Sequence, residues 1–326
     1  MGAVAGDDAG WAPIEGGAPP PPNTGYPPPP PLPNAGYPPP PWAPPSLPKA
    51  GDARTGPLPL HPMSVGDILD GAFKLFKANA GTLVLIVAAI TVPLQVLTAF
   101  LVRSQVSPGI LNVLRDPSLA EAQANQSPFA SLGNSGVALV LGAFATPFIA
   151  GAVSRVVAAS YLGQRVQAGE ALRYAARRFP ALFGAFLLVH LAELGAGLAC
   201  LIPGVLIMPM FTVVAPAISI ERLGPMAAIR RSWRLVRPRY GPVLGICLLT
   251  ALISGMLSNV VGAAPSTVAV LFGGRFAWLL IAAGGIASEL IAAPIVVIVA
   301  TLVYFDARIR WEGFDLQLMA GDLDRP

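Results

Sequence analysis

The chain has 326 residues, of which 54% are hydrophobic and 12% charged, with a formal net charge of +4. A soluble domain carries about 25% charged residues, so charge this sparse excludes a water-soluble globule of this length and makes lipid the main neighbour. The positive balance could suit nucleic acid, but the basic residues lie beside long apolar runs, which fits anionic lipid headgroups and leaves no nucleic-acid partner to expect.

Residues 1–62 hold most of the prolines, including Pro19 to Pro22, Pro27 to Pro31 and Pro38 to Pro41. A short repeat is visible, Asn23-Thr24-Gly25-Tyr26-Pro27 returning as Asn34-Ala35-Gly36-Tyr37-Pro38. Proline removes backbone donors and favours polyproline II, so a disordered cytoplasmic tail is predicted here. It is either an inert linker or a docking strip for a protein partner with a proline-binding domain. The first ten residues lack a basic stretch followed by an apolar core, so no cleavable signal peptide is expected and the first span serves as the insertion signal.

Order is predicted to begin near Ser64, which can cap a helix with Asp67 at the third helical position. Over residues 65–80 the 3.6-residue period puts Val65, Ile68, Leu69, Ala72, Phe73 and Phe76 on one face, as in an interfacial helix lying along a membrane. Six spanning helices follow, at about 81–102, 136–161, 181–201, 204–220, 240–261 and 276–304. A span needs about 20 apolar residues. The run over 181–220 is too long for one, and Pro203-Gly204 is its natural breaker. Pro294 predicts a kink or tilt in the last span. The fold class is therefore all-α and polytopic, with a six-helix transmembrane domain over 63–319 and a short tail at 320–326. The segment from Arg103 to Ser135 is the one sizeable external loop, rich in Ser, Asn and Gln, and reads as partly disordered.

Charge sets the orientation. Lys74 and Lys77 precede the first span, Arg165, Arg173, Arg177 and Arg178 join spans two and three, and Arg222, Arg230, Arg231, Arg234, Arg237 and Arg239 join four and five. Arg308 and Arg310 follow the sixth. The opposite side has only Arg103, Arg115 and Arg275. The positive-inside rule then predicts a multi-pass protein of the cell membrane with both termini cytoplasmic, and six spans agree with that. Arg230, Arg231, Arg234, Arg237 and Arg239 are dense enough to be contacts for anionic lipid; the plainer alternative is topology determination alone.

The basic segments share a plan. Aligning Gly81, Gly184 and Gly241 superposes Leu69, Leu172 and Ile229, then Phe73, Ala176 and Trp233, then Lys74, Arg177 and Arg234. Three units of elbow helix plus two spans would account for this, although basic residues precede spans in any polytopic protein.

Four ionisable residues fall within or near the spans: Arg155, His190, Glu193 and Glu289. A charge at a helix centre costs roughly 2.5–3.5 kcal/mol on insertion scales, so such residues face the bundle interior or water. His190 and Glu193, three apart, can share a helix face. Together the four form either a polar site that moves a proton, ion or small solute, or structural glue. Gly142, Gly151, Gly184, Gly195, Gly197, Gly284 and Gly285 read as close helix packing. Cys200 and Cys247 both lie in predicted spans, and no CxxC or His/Cys metal spacing exists. No Walker loop, GxSxG or HExxH is present. No catalytic residue, metal site or cofactor is expected, and an enzyme is disfavoured.

The stretch Pro62-Met63-Ser64-Val65-Gly66-Asp67-Ile68-Leu69-Asp70-Gly71-Ala72-Phe73 resembles the opening of a group of bacterial, actinobacterial-type integral membrane proteins related to the membrane domain of glycerophosphoryl diester phosphodiesterases. Tyr304-Phe305-Asp306-Ala307-Arg308-Ile309-Arg310-Trp311-Glu312-Gly313-Phe314-Asp315-Leu316 resembles that group's end motif. The resemblance covers about 60–319 and implies a six-helix membrane domain with no catalytic residue to transfer. In the fused members a soluble barrel brings the phosphodiesterase histidine and metal-binding carboxylates. This chain has no such barrel, so hydrolase activity does not carry over. Read from the residues, Asp306, Arg308 and Arg310 form a charged exit from the last span, able to pair along one helix turn or to dock the elbow helices. The leading expectation is a non-enzymatic membrane protein that organises membrane lipids or protein partners at the cytoplasmic face. The alternative is a transporter or channel-like protein using His190, Glu193 and Glu289.

Overall fold

The computed structural model describes residues 63–103, 106, 109–124, 128–199 and 201–313. The proline-rich segment 1–62, Cys200, the last three residues of the end motif and the tail 320–326 lie outside the described residues. Among these residues ten α-helices are present: α1 Val65–Leu101, α2 Ile110–Arg115, α3 Ser118–Ala124, α4 Pro128–Tyr161, α5 Ala168–Ala199, α6 Leu201–Ile207, α7 Val214–Glu221, α8 Pro225–Val236, α9 Tyr240–Phe272 and α10 Ala277–Glu312. Two 3-10 turns, Met208–Phe211 and Arg237–Arg239, interrupt the series, and no strand occurs among the described residues. Six helices are long and apolar enough to cross a membrane.

The chain enters as its local chemistry requires. Ser64 accepts from the Asp67 N–H at 3.2 Å, and the Ser64 N–H donates to the Asp67 carboxylate at 2.9 Å, which closes a capping box. Helix α1 then bends at Asn79, whose backbone leaves helical geometry at φ −121° and ψ 16°. Its side-chain amide donates to the Leu75 carbonyl at 3.0 Å and to Ser160 Oγ at 2.9 Å, so the bend is pinned to α4. The stretch before Asn79 is the expected interfacial elbow. Its buried face is Ile68, Gly71, Ala72 and Leu75, whereas Phe73, expected on that face, is 38% exposed. Phe73 lies one residue, about 100°, round from Ala72 and falls off the contact stripe.

Several boundaries differ from expectation for physical reasons. The elbow before the third span is continuous with it: α5 runs unbroken through Pro180. Phe179 and Phe183 stack on Phe144 of α4 at 6.1 and 4.8 Å, which ties the junction of elbow and span to α4. Helix α5 ends at Ala199 and α6 begins at Leu201, before Pro203-Gly204. Both residues sit in the first turn of α6, where proline is tolerated. Gly204 instead lets α6 approach α5: a Cβ there would lie 3.1 Å from Gly197 Cα. The fourth span is not continuous but is assembled from α6, the turn Met208–Phe211 and α7. The fifth extends to Phe272, and α10 runs unbroken through Pro294 to Glu312. The external segment is more ordered than its composition implied. It contains α2 and α3, and Asn112 of α2 donates to the Phe272 carbonyl at the end of α9 at 2.9 Å.

The proposed threefold plan reappears in the burial pattern. The equivalent positions Ile68, Ala171 and Ala228 are all buried, as are Ala72, Ala175 and Ser232. Phe73, Ala176 and Trp233 are all exposed, as are Lys74, Arg177 and Arg234.

Packing is densest where the elbows gather. Almost every residue of α4 from Gly151 to Tyr161 and of α10 from Ile298 to Ala307 is buried. Tyr161 stacks on Phe305 with ring centroids 4.3 Å apart. We call this the basic end. Toward the other end the same helices expose large apolar side chains, such as Leu139 at 73%, which in hydrocarbon carries no hydrophobic penalty. There α9 and α10 stay close through Gly262 and Gly284. A Cβ on Gly284 would lie 2.8 Å from the Gly262 carbonyl oxygen. Of the glycines read as packing contacts, Gly151, Gly184, Gly284 and Gly285 do face neighbours, while Gly142 and Gly195 face open space and Gly197 is the surface that Gly204 meets. Gly262 was not anticipated.

Candidate functional site

Two adjoining features deserve description: a crevice within the bundle and a shallow groove on the basic end. The crevice has a volume of about 390 Å3 and is bounded by α4, α5, the Met208–Phe211 turn with α7, α9 and α10. Helices α5 and α9 both supply walls of the crevice. The broken fourth span supplies the base. Its carbonyls are not left bare, since Ser232 of α8 donates to the Met210 carbonyl at 2.6 Å and Tyr240 to the Leu206 carbonyl at 2.6 Å. Irregular backbone among spanning helices persists where protein or a cavity satisfies it.

Most of the lining is apolar, including Leu182, Phe186, Ile218 and Val299. The polar groups are few. His190 Nδ1 lies 3.4 Å from Glu193 Oε2, and the His190 ring packs on Phe186 with centroids 3.8 Å apart. Thr212 Oγ1 and Cys247 Sγ are 3.1 Å apart. Thr250 is 5% exposed, and its hydroxyl has no hydrogen-bond partner among the described residues.

The four ionisable residues singled out in the sequence are thus divided. His190 and Glu193 share the crevice, as their spacing predicted; Glu289 and Arg155 are not part of its lining. Arg155 sits at the basic end with its guanidinium 5.4 Å from the Tyr174 ring centre. Its buried Nε has no hydrogen-bond partner among the described residues. Glu289 is half-buried in α10, one turn beyond Gly285, which faces Gln95 of α1.

The five arginines read as lipid contacts are also divided. Arg231 donates to Glu221 at 2.9 and 3.0 Å and forms a two-point ion pair with Glu312. Glu312 also accepts from Arg308 at 2.9 Å, and Glu221 accepts from Tyr304 at 2.7 Å. Arg239 is paired with Asp306, a carboxylate 5% exposed. Asp306 further accepts from Arg310 at 3.0 Å and from the Met63 N–H at 2.7 Å, while Arg310 donates to the Met63 carbonyl at 2.8 Å. Arg231 and Arg239 therefore clamp helices together. Sequence spacing anticipated Asp306 with Arg310, but nothing local signalled that Glu221, Glu312 and Asp306 would claim arginines of the α8 region.

Arg230, Arg234 and Arg237 remain exposed and have no carboxylate partner among the described residues. With Trp233, which is 40% exposed, Arg230 and Arg234 edge a groove completed by Leu223, Ala227 and the Arg231–Glu221 ion pair. Helix α8 has its cations and its exposed tryptophan on one side, and Ala228, Ser232, Leu235 and Val236 on the buried side.

Among the described residues no group of three or more His, Cys, Asp or Glu could hold a metal ion. No protein-family model matches the chain, and no curated protein or solved structure resembles it at a significant level.

Proposed function

We propose that this is a non-enzymatic membrane protein that gathers anionic lipid at its basic end, and that this end faces the cytoplasm. The supporting observation is the division among the five arginines of α8 and the 3-10 turn that follows it. Arg231 and Arg239 are used to hold the fold, and Arg230, Arg234 and Arg237 are left exposed near a half-exposed tryptophan. A tryptophan and arginines on one face of an interfacial helix suit the headgroup layer. Each Lys or Arg near an anionic surface contributes about 1 kcal/mol. Three together amount to about 3 kcal/mol, on the order of a hundredfold in affinity.

The test is the lipid carried through purification in mild detergent. Wild-type protein is expected to retain phosphatidylglycerol or cardiolipin in excess of its share in the membrane. R230Q/R234Q/R237Q is expected to lose most of that excess while staying folded, because Arg231 and Arg239 are untouched. An unchanged lipid profile in the triple variant would refute the proposal.

Solute transport has one observation in its favour, the His190–Glu193 pair in the crevice. The apolar lining and the separate positions of Glu289 and Arg155 favour a lipid role instead.

A further inference from the structure

The crevice and the basic groove are neighbours across one pair of rings. Phe211 lines the crevice, Trp233 lines the groove, and their rings lie 6.3 Å apart. Ser232, next to Trp233, bonds the same 3-10 turn that carries Phe211. One occupant can therefore reach both.

The chemistry of the lining selects that occupant. A buried water needs two to four polar partners, and the crevice offers few. His190 and Glu193 face each other, as do Thr212 and Cys247. Thr250 can turn its hydroxyl to the carbonyl one helical turn back, as threonines in helices do. An apolar occupant is left. A cavity of about 390 Å3 lies within the range of roughly 300–1,000 Å3 for ligand sites. The helices that wall it, α5 and α9, expose Leu187, Leu191, Leu248 and Leu252, so hydrocarbon is the adjacent medium. At the groove the Glu221 carboxylate is taken up by Arg231 and Tyr304, so Arg230 and Arg234 are left to call for an anion.

We propose that a single anionic phospholipid occupies both features, its phosphate against Arg230 and Arg234 and one acyl chain passing Trp233 and Phe211 into the crevice. This rests on the lipid-gathering role of the basic end and names the ligand and its seat. The His190–Glu193 pair closes the polar rim on itself and asks nothing of the chain.

The experiment uses full-length wild-type protein in phosphatidylcholine vesicles containing a trace of phosphatidylglycerol with a diazirine in its acyl chain. After irradiation, labelled peptides are located by mass spectrometry. Labelling of crevice residues in α5, α9 and the Met208–Phe211 turn is expected to exceed that from a phosphatidylcholine probe with the same chain by about tenfold, one decade per 1.4 kcal/mol. Ala251 lines the crevice yet is exposed, so Ala251→Phe fills space without entering the core. It is expected to abolish crevice labelling and to leave labelling of the exposed Leu198 in place. Label confined to outer faces such as Leu198, or equal crevice labelling by the two headgroups, overturns the proposal. The wild-type measurement stands even if Ala251→Phe folds poorly. Anionic lipid enriched on purification with no label in the crevice would sink the seat alone. Loss of the enrichment itself would sink the role of the basic end.

Discussion

Glu312 lies past Tyr304, where the apolar run of α10 ends, and it is the carboxylate most affected by its neighbours at the basic end. The hydrogen bond from Arg231 is the main cause, aided by the one from Arg308, and together they hold its carboxyl below the usual range against the opposing effect of burial. The hydrogen bond to Glu312 likewise raises Arg231 above its ordinary value, with burial opposing and Glu221 adding to it. An unfolded glutamate titrates near 4.3, roughly. A carboxyl depressed in the folded state contributes stability that is present above that value and lost as pH falls through the folded value. The thermal midpoint of the detergent-solubilised protein is therefore expected to drop as pH falls below about 4. Glu312→Gln should lower the midpoint at neutral pH and flatten that acid limb. An acid limb of the same depth in both proteins would show that Glu312 does not carry it. Asp306 is a different case, because it joins two arginines and the Met63 backbone in a site almost closed to solvent. Removing one partner from such a cluster leaves buried charge without compensation, at about 3–5 kcal/mol.

At the scale of elements, helix contacts through glycine separate packing from coincidence. Gly284 would place a Cβ 2.8 Å from the Gly262 backbone oxygen, an atom that cannot swing away. Gly195 would place one in open space. Gly284→Ala is expected to destabilise by about 1–3 kcal/mol through forced separation of α9 and α10. Gly195→Ala should be neutral or stabilising by up to about 1 kcal/mol, as expected for an open helix position. Thermal unfolding of the two variants side by side checks this, and an equal effect would remove the close contact from the account. The same contrast shows which elements were legible in the sequence. The start of α1 was, because a capping box is closed by residues three apart. The amphipathic face of α8 was, because its period is local. The continuity of elbow and span in α5 was not, since the junction is held by Phe144 reaching Phe179 and Phe183 from another helix. Nor was the use of Arg231 and Arg239, whose partners Glu312 and Asp306 stand 81 and 67 residues away. The break in the fourth span was hidden too. Its carbonyls are satisfied by Ser232 and Tyr240, side chains that read as ordinary members of the next elbow and span.

For the whole molecule, packing and charge are polarised in the same direction. The basic end joins the buried core to Lys74, Lys77 and the arginines of the elbows, and its carboxylates are largely consumed by Arg231, Arg239, Arg308 and Arg310. At the far end two of the three arginines lie against rings: Arg103 is 3.9 Å from the Phe100 ring centre and Arg275 5.0 Å from that of Phe276. Cations on short loops govern orientation during insertion while acidic groups contribute little, so pairing within the folded protein does not weaken the signal. The basic end should therefore be cytoplasmic. Gln167 precedes α5 at that end and Ala120 lies on α3 at the other; both are exposed. In a background carrying Cys200→Ser and Cys247→Ser, a membrane-impermeant maleimide added to intact cells is expected to label Ala120→Cys and to spare Gln167→Cys until the cells are permeabilised. The reverse pattern would place Arg230, Arg234 and Arg237 outside, away from the anionic inner leaflet. Labelling of both positions in intact cells would mean that α4 does not cross the bilayer between them, and the count of six crossings would fall with it.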